Sequence, residues 1–370
     1  MASPRVAIIY LSFNSRPYLD EVVLSLEKLH YPKEQLDLII VDNASPDNSA
    51  DLIRDTVLPK SGQSLPKVTF FPSADNLGFA EGNNLGIEHA LAAGADYVFL
   101  LNNDAKLHPD VIAECVKLAE TDEHIASVQP LIMLWQDANI INSTGGMIHF
   151  LGFGFVRDNG RRLSEVFSPL GKGGERGGAN GAEIAYSSGA AVLYRASALK
   201  KVGLLDPFLF LYHEDLQLGW RLRLAGYINA LCPPAVVYHH YEFKRSVSKF
   251  FWMERNRILV HFTCFKISTL ILLLPFLVLL EIALFFFGLK GGWVKEKLLV
   301  WWELLQPKTW QYVWRTRKEI QSRRRVSDQE IARLFTAKIE HQATSSFLVD
   351  KIGNPILSVV WNILQKIIVW

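Results

Sequence analysis

Four short apolar runs, Val6 to Leu11, Leu36 to Val41, Val68 to Phe71 and Tyr97 to Leu101, alternate with helix-compatible segments. Those segments are Tyr18 to Leu29, Asn48 to Leu58, Ala80 to Ala93 and Pro109 to Ala119. A run that is apolar at nearly every position suits a strand covered on both faces. Repeated βα units connect parallel strands by right-handed crossovers, so the order βαβαβαβα predicts an open α/β sheet. In such sheets ligands bind beyond the carboxyl ends of the strands. Polar clusters stand at those ends: Ser12 and Asn14 after the first run, Asp42 and Asn43 after the second, Asn76 and Gly78 after the third, and Asn102, Asn103 and Asp104 after the fourth. One polar turn is ordinary loop chemistry, but four along one sheet edge describe a site.

The 370 residues, 49% hydrophobic and 21% charged, suffice for a full core plus an appendage. A formal net charge of +2 offers no general attraction to nucleic acid, which is not an expected partner. Cys115, Cys232 and Cys264 form no CxxC pair, so neither a zinc site nor a disulfide framework is indicated and a reducing compartment fits. Arg5 followed by an apolar run ending at Asn14 is too short and badly flanked for a secretory signal, so the α/β part is expected to stay on the side of synthesis.

Between Ile267 and Leu289 only Glu281 is charged, and a helix of that length reaches roughly 34 Å, enough to cross a bilayer. A buried core helix is the alternative, but the succession of Leu and Phe around Pro275 favours lipid contact. Basic residues flank both ends, Arg255, Arg257 and Lys266 before and Lys290, Lys295 and Lys297 after, so the positive-inside rule chooses no orientation. A single crossing would export a strongly basic tail, and an in-plane or re-entrant segment is the slightly favoured arrangement. Trp293, Trp301, Trp302, Trp310 and Trp314 among lysines and arginines suit either the headgroup region or a packed amphipathic helix pair. The final ILSVVWNILQKIIVW reads as another interfacial helix or as a contact in a homo-oligomer. The expected division is a catalytic domain over 1–262, a hydrophobic membrane segment over 263–290 and an amphipathic helical region over 291–370.

Several residues carry possible chemistry. Glu214 and Asp215 fall where the apolar stretch Phe208 to Leu211 gives way to a short helix ended by Gly226, which places both acids in a first turn. Asp42 sits at a rigid strand end and either binds a base or ribose or merely forms an Asx turn. In ADNLGFAEGNNLGIEHA, Gly78, Gly82 and Gly86 either bring backbone close to a ligand or permit close helix packing, while Asn76, Asn83 and Asn84 offer uncharged amides. The spacing matches neither a P-loop nor a dinucleotide fingerprint. Asp104 and His239 are candidate ligands for Mg²⁺ or Mn²⁺, metals that bind through one or two carboxylates plus substrate phosphates. Arg221 is either a phosphate contact or a solvated helix arginine, and Trp220 fits core packing. The glycine-rich Gly171 to Gly181 is a surface loop or a lid.

Taken together, VAIIYLSFN, VDNASPDNS, NLGFAEGNNLGI, LLNNDAKL, SGAAVLYR, VGLLDPFLFLYHEDLQLGWRLRLAGY and VYHH resemble the family-2 inverting glycosyltransferases of the GT-A fold, in particular the bacterial rhamnosyltransferase-like branch. The resemblance covers roughly residues 4 to 260. It implies a Rossmann-like mixed sheet with a C-terminal membrane-associated helical region, on the cytoplasmic face of the inner membrane. It further implies that Asp42 binds the nucleotide base, that Asp104 ends a DxD-like motif holding the metal on the diphosphate, and that Asp215 is the general base with Glu214 orienting acceptor or helix. The NND sequence lacks the first acid of a strict DxD, which leaves the metal fewer anionic ligands. The expected reaction moves one sugar from dTDP-rhamnose or a UDP-hexose to a lipid-linked or surface-polysaccharide acceptor. A processive synthase is the alternative, though no QxxRW motif is present; a non-catalytic nucleotide-sugar-binding component of an assembly complex is another.

Overall fold

The computed structural model describes residues 3–167, 180–241, 247–339 and 349–370. The glycine-rich loop or lid expected at 171–181 lies outside the described residues except for Asn180 and Gly181. In chain order the strands are β1 (Val6–Ser12), β2 (Leu36–Asp42), β3 (Lys67–Pro72), β4 (Tyr97–Asn102), β5 (Ala105–Leu107), β6 (Ile125–Leu134), β7 (Ile141–Ser143), β8 (Gly146–His149), β9 (Gly154–Val156), β10 (Ala191–Arg195), β11 (Ile228–His239) and β12 (Phe335–Thr336). The helices are α1 (Leu19–Glu27), α2 (Ser49–Leu52), α3 (Gly78–Ala92), α4 (Val111–Ala119), α5 (Leu163–Val166), α6 (Ala196–Val202), α7 (Glu214–Leu224), α8 (Val247–Cys264), α9 (Ile267–Gly291), α10 (Val294–Leu304), α11 (Pro307–Ser322), α12 (Asp328–Ala332) and α13 (Asn354–Ile367).

The four apolar runs become β1 to β4, parallel in the order β3-β2-β1-β4. The sheet continues through β10, β6, β11 and β5, with β7 on β6. Here the parallel arrangement expected from the alternation stops: β10 runs antiparallel to both β4 and β6, and β5 antiparallel to β11. The physical reason is connectivity, since β7, β8, β9 and the short α5 intervene between β6 and β10 and no βαβ crossover joins β10 to its neighbours β4 and β6. The sheet is therefore mixed, as the family resemblance implied. β3 is a half-exposed edge strand, consistent with its closing Pro72. Register aligns the strand ends, with Ser12 opposite Asp42 and Leu11 opposite Asn102.

Helix α3 shows why its glycines are needed. A Cβ on Gly82 would stand 2.7 Å from Leu11 Cδ1, and one on Gly86 2.6 Å from Ile9 Cγ2, so both let the helix press onto β1. Gly78 differs: it opens the helix at φ +75°, against the Phe210 ring.

Beyond α8 the chain folds back onto the same body. β12 pairs with β8 in a small sheet completed by β9. Tyr312 of α11 donates to Asp206 Oδ2 at 2.7 Å and its ring stacks on Phe208 at 3.9 Å. Trp361 of α13 stacks on Phe150 at 4.9 Å. The residues after α9 thus share a core with the segment that carries Glu214 and Asp215. This arrangement is incompatible with a single crossing that would place 292–370 on the opposite side of a membrane from the sheet.

Three of the basic residues expected to flank the apolar segment prove to be internal. Arg255, Arg257 and Lys297 are buried. Arg257 and Lys297 each pair with both Glu254 and Glu281, in a four-charge network that joins α8, α9 and α10. The charge in the middle of α9 is therefore compensated within the protein.

Candidate active site

Helix α7 starts at Glu214 because the chain before it is forced through an unusual path. Phe210, Tyr212 and His213 have φ of 60°, 67° and 69°, a left-handed conformation that costs a non-glycine residue of order 1–3 kcal/mol. Asn256 of α8, wholly buried, holds this loop by donating from Nδ2 to the carbonyls of Leu209 (2.8 Å), Leu211 (3.0 Å) and Tyr212 (2.8 Å). Arg255 Nε donates to Asn256 Oδ1 at 3.0 Å and so fixes the orientation of that amide. The Phe79 amide at the start of α3 donates to Phe210 O at 2.8 Å. His213 Nε2 donates to Gly152 O at 3.2 Å, and burial pushes this imidazole down to about 4, so it is a neutral tether at physiological pH.

The two acids emerging from this loop have different surroundings. Asp215 Oδ2 accepts from the Gly189 amide at 3.0 Å and Oδ1 from its neighbour Leu216 at 2.7 Å. Burial raises its pKa, and these amides, which favour the carboxylate, oppose the rise. Glu214 is 4% exposed and its Oε2 has no hydrogen-bond partner. Burial, reinforced by the Asp215 charge, raises the Glu214 pKa well above the usual carboxylate range. The upward shift is the larger for Glu214, so of the two Asp215 is the acid that ionises more readily.

A stability test follows from the sign of that shift. A carboxyl whose folded pKa is raised binds its proton more tightly in the native state. Its favourable contribution is full below the unfolded value and is lost as pH rises through the folded one. Glu214→Gln is expected to flatten the decline in Tm from mildly acidic to alkaline pH, and to leave the variant no less stable than wild type at the alkaline end. Thermal unfolding of both proteins across that range measures it.

A cavity of about 460 Å³ is lined by Glu214, Asp215 and Gly189, by Asn102 at the end of β4 and by His239 at the end of β11. Its lining also includes Phe153, Phe155 and Tyr186, which the sequence reading did not single out, and Leu284, Phe287 and Trp293 from α9 and the turn after it.

Asp104 and His239 are brought together by register, since β11 places His239 opposite Ala105. His239 Nε2 lies 3.2 Å from Asp104 Oδ1, an oxygen with no directed hydrogen-bond donor among the described residues. His239 Nδ1 faces Asn142 Oδ1 at 3.0 Å, which leaves Nε2 as the ring nitrogen turned to Asp104. One carboxylate and one imidazole 3.2 Å apart are donors of a type that fits Mg²⁺ or Mn²⁺ when diphosphate oxygens and water complete the shell. Among the described residues no group of three His, Cys, Asp or Glu gathers there.

The remaining candidates cluster around the ends of β1 to β4. Asp42 is buried and accepts from Ser12 Oγ (3.0 Å), Ser45 Oγ (2.6 Å) and the Ser45 amide (3.1 Å), so its carboxylate does form the Asx-type turn. Asn14, in a left-handed turn at φ 54°, donates its amide to Ser45 Oγ. Asn43 braces the next turn: Nδ2 donates to Asn76 Oδ1 and Gly78 O, and Oδ1 accepts from Leu77 N. Asn103 Nδ2 donates to Phe13 O at 2.7 Å, tying the β4 end to the β1 end.

Two of the expected residues are not brought into this cluster. Asn83 is 1% exposed and its amide is bonded to Phe79 O within its own helix. Arg221 is not part of the cavity lining and donates to the carbonyls of Val202 and Leu204, at the α6 end of the molecule. The helical spacing from Asp215 put Arg221 on a different face of α7. Trp220 is core, edge-on to Phe265 and Phe335. Asn256, the residue that sets the loop, left no signal beyond its place in the charged run Glu254 to Arg257.

The glycosyl transferase family 2 profile matches residues 7–203. The N-acetylglucosaminyl-diphospho-decaprenol L-rhamnosyltransferase of Mycobacterium tuberculosis is 27% identical over 255 residues, covering 63% of this chain and 75% of that protein. Galactofuranosyltransferase GlfT1 of the same organism is 31% identical over 224 residues, covering 60% and 66%. The crystal structure of GalNAc-T7 with UDP, GalNAc and Mn²⁺ superposes with a TM-score of 0.54 at 16% identity. The match covers 70% of this chain but spans only 47% of that one, and at this identity the likeness is one of fold.

Proposed function

The chain belongs to glycosyl transferase family 2, and on that premise we propose that it moves one sugar, with inversion, from a nucleoside-diphosphate donor to a lipid-linked or cell-surface polysaccharide acceptor. It has the GT-A fold, with a mixed sheet and a C-terminal helical region that carries one long apolar helix. The observation that carries the reading is the unequal pair at the start of α7, both acids lining the cavity, where two amides donate to the Asp215 carboxylate while Glu214 Oε2 has no hydrogen-bond partner.

In this mechanism a free lone pair of the Asp215 carboxylate takes the proton of an acceptor hydroxyl. The acceptor oxygen bonds to the anomeric carbon from the face opposite the diphosphate, and the bond from that carbon to the diphosphate oxygen breaks. One displacement inverts the centre. Burial favours the neutral form of Glu214, which limits a second negative charge against the attacking oxygen. Asp104 and His239 would hold Mg²⁺ or Mn²⁺, which supplies charge neutralisation for the departing diphosphate. Asp42 and the turns braced by Asn43 and Asn76 would receive the nucleoside, with dTDP-rhamnose or a UDP-hexose as donor. The rhamnosyl and galactofuranosyl relatives and a cavity that reaches an apolar helix support a lipid-linked acceptor at the cytoplasmic face of the membrane.

A panel of nucleotide sugars, each with Mn²⁺ or with chelator, tests the donor site by thermal stabilisation. The cognate donor at a hundredfold excess over its Kd is expected to stabilise by about 2.7 kcal/mol. Asp104→Asn is expected to lose the Mn²⁺-dependent part. A donor that binds and is transferred equally well in chelator overturns the metal role, and an equatorial or axial product that retains the donor's anomeric configuration overturns inversion.

A further inference from the structure

We propose that α9, α10 and α13 form a one-sided membrane-docking surface, with α9 lying in a single leaflet along the bilayer plane and not crossing it. α9 has 25 residues and a mean hydropathy of 2.9 over its most apolar window, of which 11% is buried inside the protein, so it is not a core helix. Ile267, Ile271, Leu274, Val278, Ile282, Phe286 and Leu289 are exposed at helical spacing along one face. The same holds for α13, where Ile356, Val359, Ile363 and Ile367 face outward while Trp361, Leu364 and Ile368 are buried. α10 adds Leu298, Leu299 and Trp302.

A helix of 25 residues is roughly 37 Å long, and a crossing would carry its two ends to opposite sides of a bilayer. Both ends of α9 are instead fastened to the body that holds the active site. At its start the Lys266 amide donates to Asp328 Oδ2 at 2.8 Å, and Trp370 Nε1 to Thr269 Oγ1 at 2.8 Å. At its middle Glu281 joins Arg257 and Lys297, and just past its end Trp293 stacks on Phe250 at 4.8 Å.

Composition selects lipid over a second copy of the chain. Even the cores of protein interfaces are only about 65% apolar, whereas the exposed face of α9 is apolar along its whole length. Exposed Lys290, Lys295, Arg315, Lys318 and Lys366, with Trp302 and Trp314, add the chemistry that headgroups attract. Phe287 is both half exposed on α9 and part of the cavity lining, so the cavity adjoins this surface. An acceptor with a hydrocarbon tail then reaches Asp215 from within the leaflet. This last consequence rests on the transferase reading; the docking surface does not.

Two measurements on the full chain test the proposal. Reporter cysteines at the exposed positions Asp51 and Lys318, on the sheet and on α11, are probed with an impermeant maleimide in sealed membrane vesicles of known orientation. Labelling of both from the same side is expected; labelling from opposite sides overturns the in-plane arrangement. In flotation with phosphatidylethanolamine–phosphatidylglycerol vesicles, the wild type is expected to float. The pair Ile271→Glu and Ile356→Glu is expected to lower the bound fraction about tenfold or more with unchanged Tm. Undiminished flotation of that variant overturns the proposal, as does a wild type that stays off the vesicles and forms a dimer which the same substitutions dissociate. A wild type that docks as expected yet transfers no sugar fails the transferase reading and leaves the surface standing.

Discussion

Asp215→Asn is expected to lower kcat for sugar transfer by about 10²- to 10⁴-fold, the usual contribution of a positioned general base. The substitution keeps the shape of the side chain and can still accept from the Gly189 or Leu216 amide, so fold and donor affinity should survive. What is lost is the group that takes the acceptor proton. Because the effect belongs to the chemical step, kcat should fall while the donor KM moves little. Wild-type activity should decline on acidification through the raised Asp215 pKa, above the ordinary aspartate range, and the residual activity of the variant should lack that limb. Equal turnover by the two proteins would remove Asp215 from the mechanism, and Glu214→Gln measured alongside would show whether its neighbour takes the proton instead.

The second large effect concerns stability. Arg257→Met is expected to destabilise the protein by about 3–5 kcal/mol, the cost of leaving a buried charge without its partner. The substitution leaves Glu254 and Glu281 to share Lys297 and also removes the donor to Leu151 O. Burial alone would raise the Glu254 carboxyl, but Arg257 and Lys297 hold it down to about 2. A carboxyl with a depressed folded pKa stabilises above its unfolded value and loses that contribution as pH falls through the folded one. The variant should therefore unfold at a higher pH than wild type on acidification as well as at a lower temperature. Adding Glu281→Gln restores a balanced Glu254–Lys297 pair and should recover part of the loss; a double variant as unstable as the sum of the singles would argue against a shared network. Asn256 adjoins Arg257 on α8, so sugar transfer should fall with stability in the single variant.

Much of the site was legible because its signals are local. The runs that became β1 to β4 carry their polar residues immediately after the last apolar position, and parallel register lines those ends up without further information. The start of α7 was marked by two acids before a helical apolar pattern. Asp104 and His239, although 135 positions apart in number, were each at the end of an apolar run, where an open sheet collects ligand contacts. Arg221 and Asn83 differ in how legible they were: the six-residue spacing from Asp215 already puts Arg221 on another face of α7, whereas the bond that ties the Asn83 amide to Phe79 O is seen only in the structure. Gly82 and Gly86 resolved toward packing, because the atoms that a side chain would strike belong to β1.

By itself the sequence determined the α/β core, the sheet edge at which the candidate site lies, the two acids at the start of α7 and the presence of one long apolar helix. Each follows from periodicity or from the residue types at the end of an element, which neighbours in the chain define. Only the tertiary structure decided that β10 enters antiparallel, that Asn256 bends the chain so Asp215 enters the cavity, and that Glu281 is neutralised by Arg257 and Lys297. It also decided that the chain after the apolar helix returns to the catalytic body. These depend on contacts between segments far apart in the chain, where strain, burial and charge are balanced by partners that no local pattern identifies.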